Sequence, residues 1–251
     1  MENPCLVERR GKVALITLNR PAVRNAIDFA LARQLCDAIA AVQDAGCIVI
    51  TGADPAFCAG LDLRNLGAEK LADIPLFNQA VRDSAIPVIA AVNGAAVTGG
   101  FEIALACDFI VASEKAVFAD THLRVGVYPG PVAVDLPRRV GIAKAREMIL
   151  TGNFVDAATA ERIGLANHVV PHEELLPFAL RMAEAIAEQD RAMVTALRQD
   201  LAATSALPQE EALTAHYAFA AGAGLTGASG ADIASRRSAV IGRSRSQRTE
   251  E

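Results

Sequence analysis

The sequence predicts an α/β protein with a strand-rich first half and a helical, strand-free tail. Three stretches carry this reading. Val88-Ile89-Ala90-Ala91-Val92 follows Pro87 as an apolar run without polar alternation, the pattern of a strand buried on both faces. That run passes through a turn-rich loop, Asn93-Gly94 to Gly99-Gly100, into an apolar, Ala-rich segment up to Ala106 that suits a buried helix. From Asp190 onward, Met193, Leu197 and Leu201 recur every four residues with no strand signal.

The remaining elements follow in order. Residues 5–18 read as two strands around a turn at Gly11-Lys12, with Val13–Leu18 the stronger. Asn19–Asn25 is a loop. Asp28 can cap a helix whose apolar stripe is Leu31, Leu35, Ala38, Ile39 and Val42, and Gly46 ends it. Cys47-Ile48-Val49-Ile50-Thr51-Gly52 is strand-like. Residues 64–75 form a polar loop or short helix, and a helix from about Leu76 to Ser84 leads to the central strand. Phe109–Ala112 and a short segment before Asp120 are strands. Asp156 caps a helix stopped by Gly164, Val169-Val170 is extended, and Leu175–Ala187 is an amphipathic helix.

Composition narrows the function classes. With 251 residues, the chain can bury a large core. Hydrophobic residues make up 52% and aromatic residues 4%, which points to an aliphatic globular protein. A formal net charge of −5 argues against a nucleic-acid binder. Cys5, Cys36, Cys47, Cys58 and Cys107 are scattered and show no metal spacing, as expected of reduced thiols in the cytoplasm. The N-terminus lacks the apolar core of a signal peptide, and Asn93, Glu102 and Asp108 interrupt the best apolar run, so no membrane span is expected.

The glycine loop carries the chemistry. A strand, a glycine turn and a helix present free backbone N–H groups at a helix N-terminus, where anions and developing oxyanions bind. Gly94 and Gly99 have the spacing of a phosphate-binding P-loop, but Gly100-Phe101 stands where Lys-Ser/Thr is needed, and the dinucleotide-binding order of glycines is absent. What remains is Gly99-Gly100 with a carboxylate, Glu102, on the first helical turn. Two readings stay open from the residues alone. Glu102 either decorates the positive end of a helix dipole, or acts as a base beside an oxyanion site. No Gly-x-Ser-x-Gly elbow is present, so serine-esterase chemistry is not expected. His168, His172 and His216 are isolated in sequence and read as structural or solvent-facing.

Several motifs stand in collinear order over about residues 5–190. They are Leu18-Asn19-Arg20-Pro21 with Arg24-Asn25-Ala26, Phe57-Cys58-Ala59-Gly60-Leu61-Asp62-Leu63, Ala91-Val92-Asn93-Gly94 with Gly99-Gly100-Phe101-Glu102, Gly126-Val127-Tyr128-Pro129-Gly130, Leu150-Thr151-Gly152, and Ala160 with Gly164-Leu165. Together they resemble the crotonase, or enoyl-CoA hydratase/isomerase, family. The resemblance implies a crotonase-type β-β-α spiral core over 1–190, and a C-terminal α-helical oligomerisation region over 191–251. It implies an oxyanion hole from the amides of Leu61 and Gly99, and Glu102 as a catalytic group. It places CoA along Arg24, Asn25, Ala26, Ala59, Gly60, Asp62 and Leu63.

Departures from the family pattern matter as much. Where hydratases of the family carry a second glutamate, this chain has His122, which is either a hydrogen-bonded pocket residue or an acid/base partner. Asp120 is a weaker candidate for the same role and reads first as a turn or capping residue. Pro131-Val132-Ala133 replaces small residues in a loop about one residue short. The arginines of the tail, Arg236, Arg237, Arg243, Arg245 and Arg248, stand where relatives place an aromatic residue and lysines near CoA phosphates; they form either a frayed basic end or a phosphate contact. The function implied is addition of water to an enoyl-CoA, or its reverse. Isomerisation, decarboxylation, thioester hydrolysis and non-catalytic acyl-CoA binding remain as alternatives. No cofactor is expected beyond the coenzyme A of the substrate, and no metal. The expected assembly is a homotrimer or dimer of trimers, without nucleic acid or membrane partners.

Overall fold

The computed structural model describes residues 3–62, 64 and 74–224, with 234, 237, 241 and 242 beyond them. The chain divides into two compact units, Met1–Val194 and Thr195–Glu251.

The first unit begins with a hairpin of β1 (Cys5–Arg10) and β2 (Val13–Leu18), turned at Gly11 with φ +58°. Helix α1 (Phe29–Ala41) starts where Asp28 accepts the Leu31 N–H at 2.8 Å, and buries Leu31, Leu35, Ala38 and Ile39. Next come β3 (Cys47–Gly52), β4 (Ala56–Cys58) and α2 (Phe77–Arg82). The central stretch folds as β5 (Val88–Val92), β6 (Ala95–Val97) and α3 (Gly99–Ala106). It continues through β7 (Phe109–Ser113), β8 (Val117–Ala119), α4 (Val132–Val140), α5 (Ile142–Thr151), β9 (Val155–Asp156) and α6 (Ala157–Arg162). Asp156 caps α6 through the Thr159 N–H. The unit ends with β10 (His168–Val170) and α7 (Leu175–Ala187).

These strands form two sheets. One has the order β1-β2-β3-β5-β7-β10, parallel from β2 onward; the other has the order β4-β6-β8-β9. In each turn of the chain the first strand enters the large sheet and the next enters the small one: β3 then β4, β5 then β6, β7 then β8. This is the β-β-α spiral that the resemblance implies. Alternation along the large sheet explains why its strands read as continuous apolar runs. Val13, Leu15, Val49, Ile89 and Val111 face α7, which packs with Leu175, Ala179 and Ala183. Ala14, Ile16, Ile48, Ile50 and Ala90 face the main core with α1 and α3. The loop read over Asn93–Gly100 is only partly a loop: Ala95–Val97 pairs with both β4 and β8, and this pairing is not encoded in the local residues.

Among the described residues, the second unit contains most of α8 (Arg191–Thr204), from Thr195 onward, and all of α9 (Gln209–Gly222). Within it, Asp200 is paired with His216 Nδ1. Leu197, Leu201, Leu213 and Tyr217 are exposed. Arg236, Arg243, Arg245 and Arg248 lie outside the described residues, and Arg237 is exposed.

Candidate active site

The site is built where the 57–62 segment meets the start of α3. Thr98, the residue before α3, has φ 46° and ψ −113°, a region β-branched residues rarely occupy. Its N–H bonds the Ala119 carbonyl at 3.0 Å. Gly60 has φ +91°, and a Cβ there would overlap Thr98 Oγ1. A Cβ on Gly100 would overlap the Cys58 carbonyl and lie 2.7 Å from the Cys58 Cβ. Glycine at 60 and 100 is therefore what lets the two backbones touch.

Two amides are left free by this contact. Leu61 forms a parallel bridge with Ile27, in which Ile27 N–H bonds Gly60 O at 2.7 Å and Asp62 N–H bonds Ile27 O at 2.8 Å. Backbone groups alternate sides along an extended segment, so the Leu61 N–H points away from Ile27. Gly99 opens α3, where an N–H has no acceptor within the helix. Among the described residues neither N–H has a protein acceptor. Leu61 and Gly99 line a cavity of about 140 Å³ together with Glu102 and His122, with Leu76 and Phe77 forming apolar wall.

Glu102 is 6% exposed, and its Oε1 has no hydrogen-bond partner among the described residues. Burial pushes its carboxyl above the ordinary range; Asp120 and Asp135 add to this, while His122 and the Val132 backbone N–H oppose it. The short Pro131-Val132-Ala133 segment thus has a visible consequence. Pro131 stands at the N-cap of α4, which begins at Val132, and the Val132 N–H favours the charged form of Glu102. Asp135, on the same helix, is bound by Arg82 of α2, with Nη2 to Oδ2 at 2.6 Å.

His122 opens a short 3₁₀ turn, His122–Val125, closed by Gly126 at φ +74°. Its Nδ1 is hydrogen-bonded to Asp120 Oδ1. Burial lowers the imidazole pKa, but the hydrogen bond and charge of Asp120, with the charge of Glu102, outweigh this and raise it. Asp120 is fully buried, which its residue pattern, read first as a turn or cap, does not indicate.

The expected CoA-loop residues fall into two groups. Arg24, Ala26, Leu61 and Asp62 line an open depression of about 380 Å³, so Leu61 borders both this and the smaller cavity. Asp62 is held by Arg64 and Arg20, and the Arg64 hydrogen bond lowers its carboxyl to about 2. Asn25 is elsewhere. It is fully buried at φ 56°, its amide bonding the carbonyls of Ala53, Ala56 and Phe57 and its Oδ1 accepting the Arg20 N–H. Its side chain ties loops together. Ala59 joins this framework through its N–H to the Arg24 carbonyl, 3.0 Å, and Gly60 through the contact with Thr98. Leu63 lies outside the described residues. His168 and His172 do not line the cavity: His168 packs at a tilt against Phe178, and His172 bonds Ser113 and Asp54. A larger depression of about 990 Å³, between the N-terminal segment and α1, contains none of the four cavity groups named above.

The enoyl-CoA hydratase/isomerase family model matches residues 8–223. The chain belongs to the enoyl-CoA hydratase/isomerase family. It is 40% identical over 215 residues to a probable mitochondrial enoyl-CoA hydratase of Dictyostelium discoideum, covering 82% of this chain and 78% of that protein. It is 44% identical over 191 residues to a probable enoyl-CoA hydratase of Rhizobium meliloti, covering 72% and 74%. The crystal structure of enoyl-CoA hydratase from Mycobacterium smegmatis superposes with a TM-score of 0.74 at 42% identity, over 88% of this chain and 97% of that one. The chain is enoyl-CoA hydratase-like over this span, and its two-sheet spiral is the crotonase fold. No described helix is long and apolar enough to cross a membrane.

Proposed function

We propose that this chain adds water across the 2,3-double bond of an enoyl-CoA thioester, or removes it in the reverse direction. The observation that carries the reading is the shared cavity: Leu61 and Gly99, whose N–H groups have no protein acceptor among the described residues, line the same small space as the buried carboxylate of Glu102. The thioester oxygen sits between the two N–H groups, which stabilise the negative charge that develops there. Glu102 takes a proton from water as the water oxygen bonds the β-carbon, and the electron pair moves through the α-carbon to the thioester oxygen. Protonated His122 then gives its proton to the α-carbon, restoring the thioester, and is reprotonated from Glu102 or solvent. His122 thus stands in for the family's second glutamate.

The adenine-bearing end of CoA follows the open depression beside Arg24, Ala26 and Asp62, and Leu61 marks the passage to the reacting carbons. No group beyond the substrate's own coenzyme A is required by these steps, and the working location is the cytoplasm. Exposed Leu197, Leu201, Leu213 and Tyr217 on the helices of the second unit support assembly of 191–251 into a homotrimer or dimer of trimers. Incubation with a panel of enoyl-CoAs, read by mass spectrometry, tests the reaction. A gain of one water on an enoyl-CoA is expected. An isomer of unchanged mass would instead favour double-bond migration, a second reading supported by a cavity lining in which Glu102 is the one carboxylate among the described residues.

A further inference from the structure

The cavity histidine comes with a partner that the family pattern does not call for. Asp120 has no exposed surface, and its Oδ1 accepts from both the Nδ1 and the backbone N–H of His122, the latter at 3.4 Å. Its Oδ2 is buried with no hydrogen-bond partner among the described residues, while the ion pair with His122 is made through Oδ1. A carboxylate buried this deeply is costly unless paired. It could have been avoided with an apolar residue if position 120 only shaped a turn.

We infer that Asp120 is the positioning residue of an Asp120–His122 dyad, holding the proton on Nδ1 so that Nε2 is the ring nitrogen offered to the cavity. A carboxylate only accepts, so the imidazole must donate from the nitrogen that faces it, and the tautomer follows. This rests on the proposed reading only in giving His122 a proton to move; the dyad itself is a property of the ground state. Asp120 acts through the imidazole and not on the substrate. The charged and titratable groups that act on His122 are Asp120 and Glu102, with Asp135 and its partner Arg82 behind Glu102. The consequence is a second acid/base group that differs from a glutamate in sign: it is cationic when loaded with a proton, and so attracts the enolate it protonates.

The test is long-range ¹H–¹⁵N correlation of the imidazoles in the full-length labelled protein across pH, with the His122 signal assigned by His122→Gln among the four histidines of the chain. The neutral form of His122 is expected to keep Nδ1–H and a bare Nε2. In Asp120→Asn the His122 titration midpoint is expected to fall by about one pH unit or more, the scale set by loss of one close opposite charge. The alkaline limb of kcat should move by the same amount, with KM little changed. An Nε2–H tautomer in the unaltered protein, or an unmoved midpoint in Asp120→Asn, overturns the dyad. If Asp120→Asn does not fold, the tautomer in the unaltered protein decides alone. Absence of turnover on every enoyl-CoA would sink the hydratase reading while leaving the imidazole signals to judge the dyad.

Discussion

Gly130 stands so close to Glu102 that a Cβ built on it would lie 2.7 Å from Oε1 and 3.6 Å from the carboxyl carbon. The turn before α4 is therefore one wall of the carboxylate's site. Gly130→Ala should displace the end of a flexible side chain and leave the backbone in place. The expected result is a fall in kcat of about tenfold or more with little change in thermal midpoint, because a misplaced catalytic group loses rate steeply. Paired turnover and melting measurements check this; a large loss of stability with normal specific activity would contradict it.

Glu102→Gln should lower kcat by about 10²–10⁴-fold, the scale of general acid–base catalysis, while acyl-CoA affinity changes little because the Leu61 and Gly99 amides remain. Calorimetry with a saturated acyl-CoA separates the two effects. Stability gives an independent sign. Burial raises the folded pKa of Glu102 above 4.5, so its ionised form disfavours the fold. Its contribution falls as pH rises from the unfolded value through the raised folded one. Urea unfolding should thus show the Gln variant gaining on the parent as pH rises above 4.5 and through the raised folded value.

Asp62 behaves in the opposite sense. Its folded pKa is depressed from 3.8 to about 2 by Arg64 and Arg20, so its stabilisation is present above 3.8 and is lost as pH falls toward 2. Asp62→Asn should be less stable than the parent at neutral pH, and the gap should close in acid. Acid titration of the two proteins, followed by circular dichroism, would show parallel curves if the ion pairs carry no stability.

Asn25→Ala removes the side chain that bonds three carbonyls, those of Ala56 and Phe57 buried and that of Ala53 partly so, and leaves alanine at φ 56°. Loss of a buried partner costs about 1–3 kcal/mol. The 57–62 segment should loosen as well, so acyl-CoA affinity should fall although the Asn25 side chain is spent on holding loops together. Chemical denaturation and calorimetry measure both; unchanged stability would show that the loops hold without it.

His122→Ala should reduce kcat and remove the alkaline limb that the imidazolium provides. A normal rate with the same pH profile would make His122 a pocket residue and leave the proton transfers to Glu102.

The sequence by itself determined most of the framework. Val88–Val92 could be nothing but a two-sided buried strand, Asp28 and Asp156 could be read as caps, and the motif order identified the spiral and the place of Glu102. These are local or collinear signals, carried by residue type and spacing. Tertiary structure alone decided the rest. Ala95–Val97 became a strand because β4 and β8 flank it, not because of its own propensity. Asn25, in a motif associated with ligand contact, turned inward because the carbonyls of Ala53, Ala56 and Phe57 converge on it from 28 or more residues away. Asp120, two residues before His122, read as a turn former until the fold closed over it and removed water as its alternative partner. In each case the deciding term is desolvation by distant chain, which a residue's neighbours in sequence do not specify.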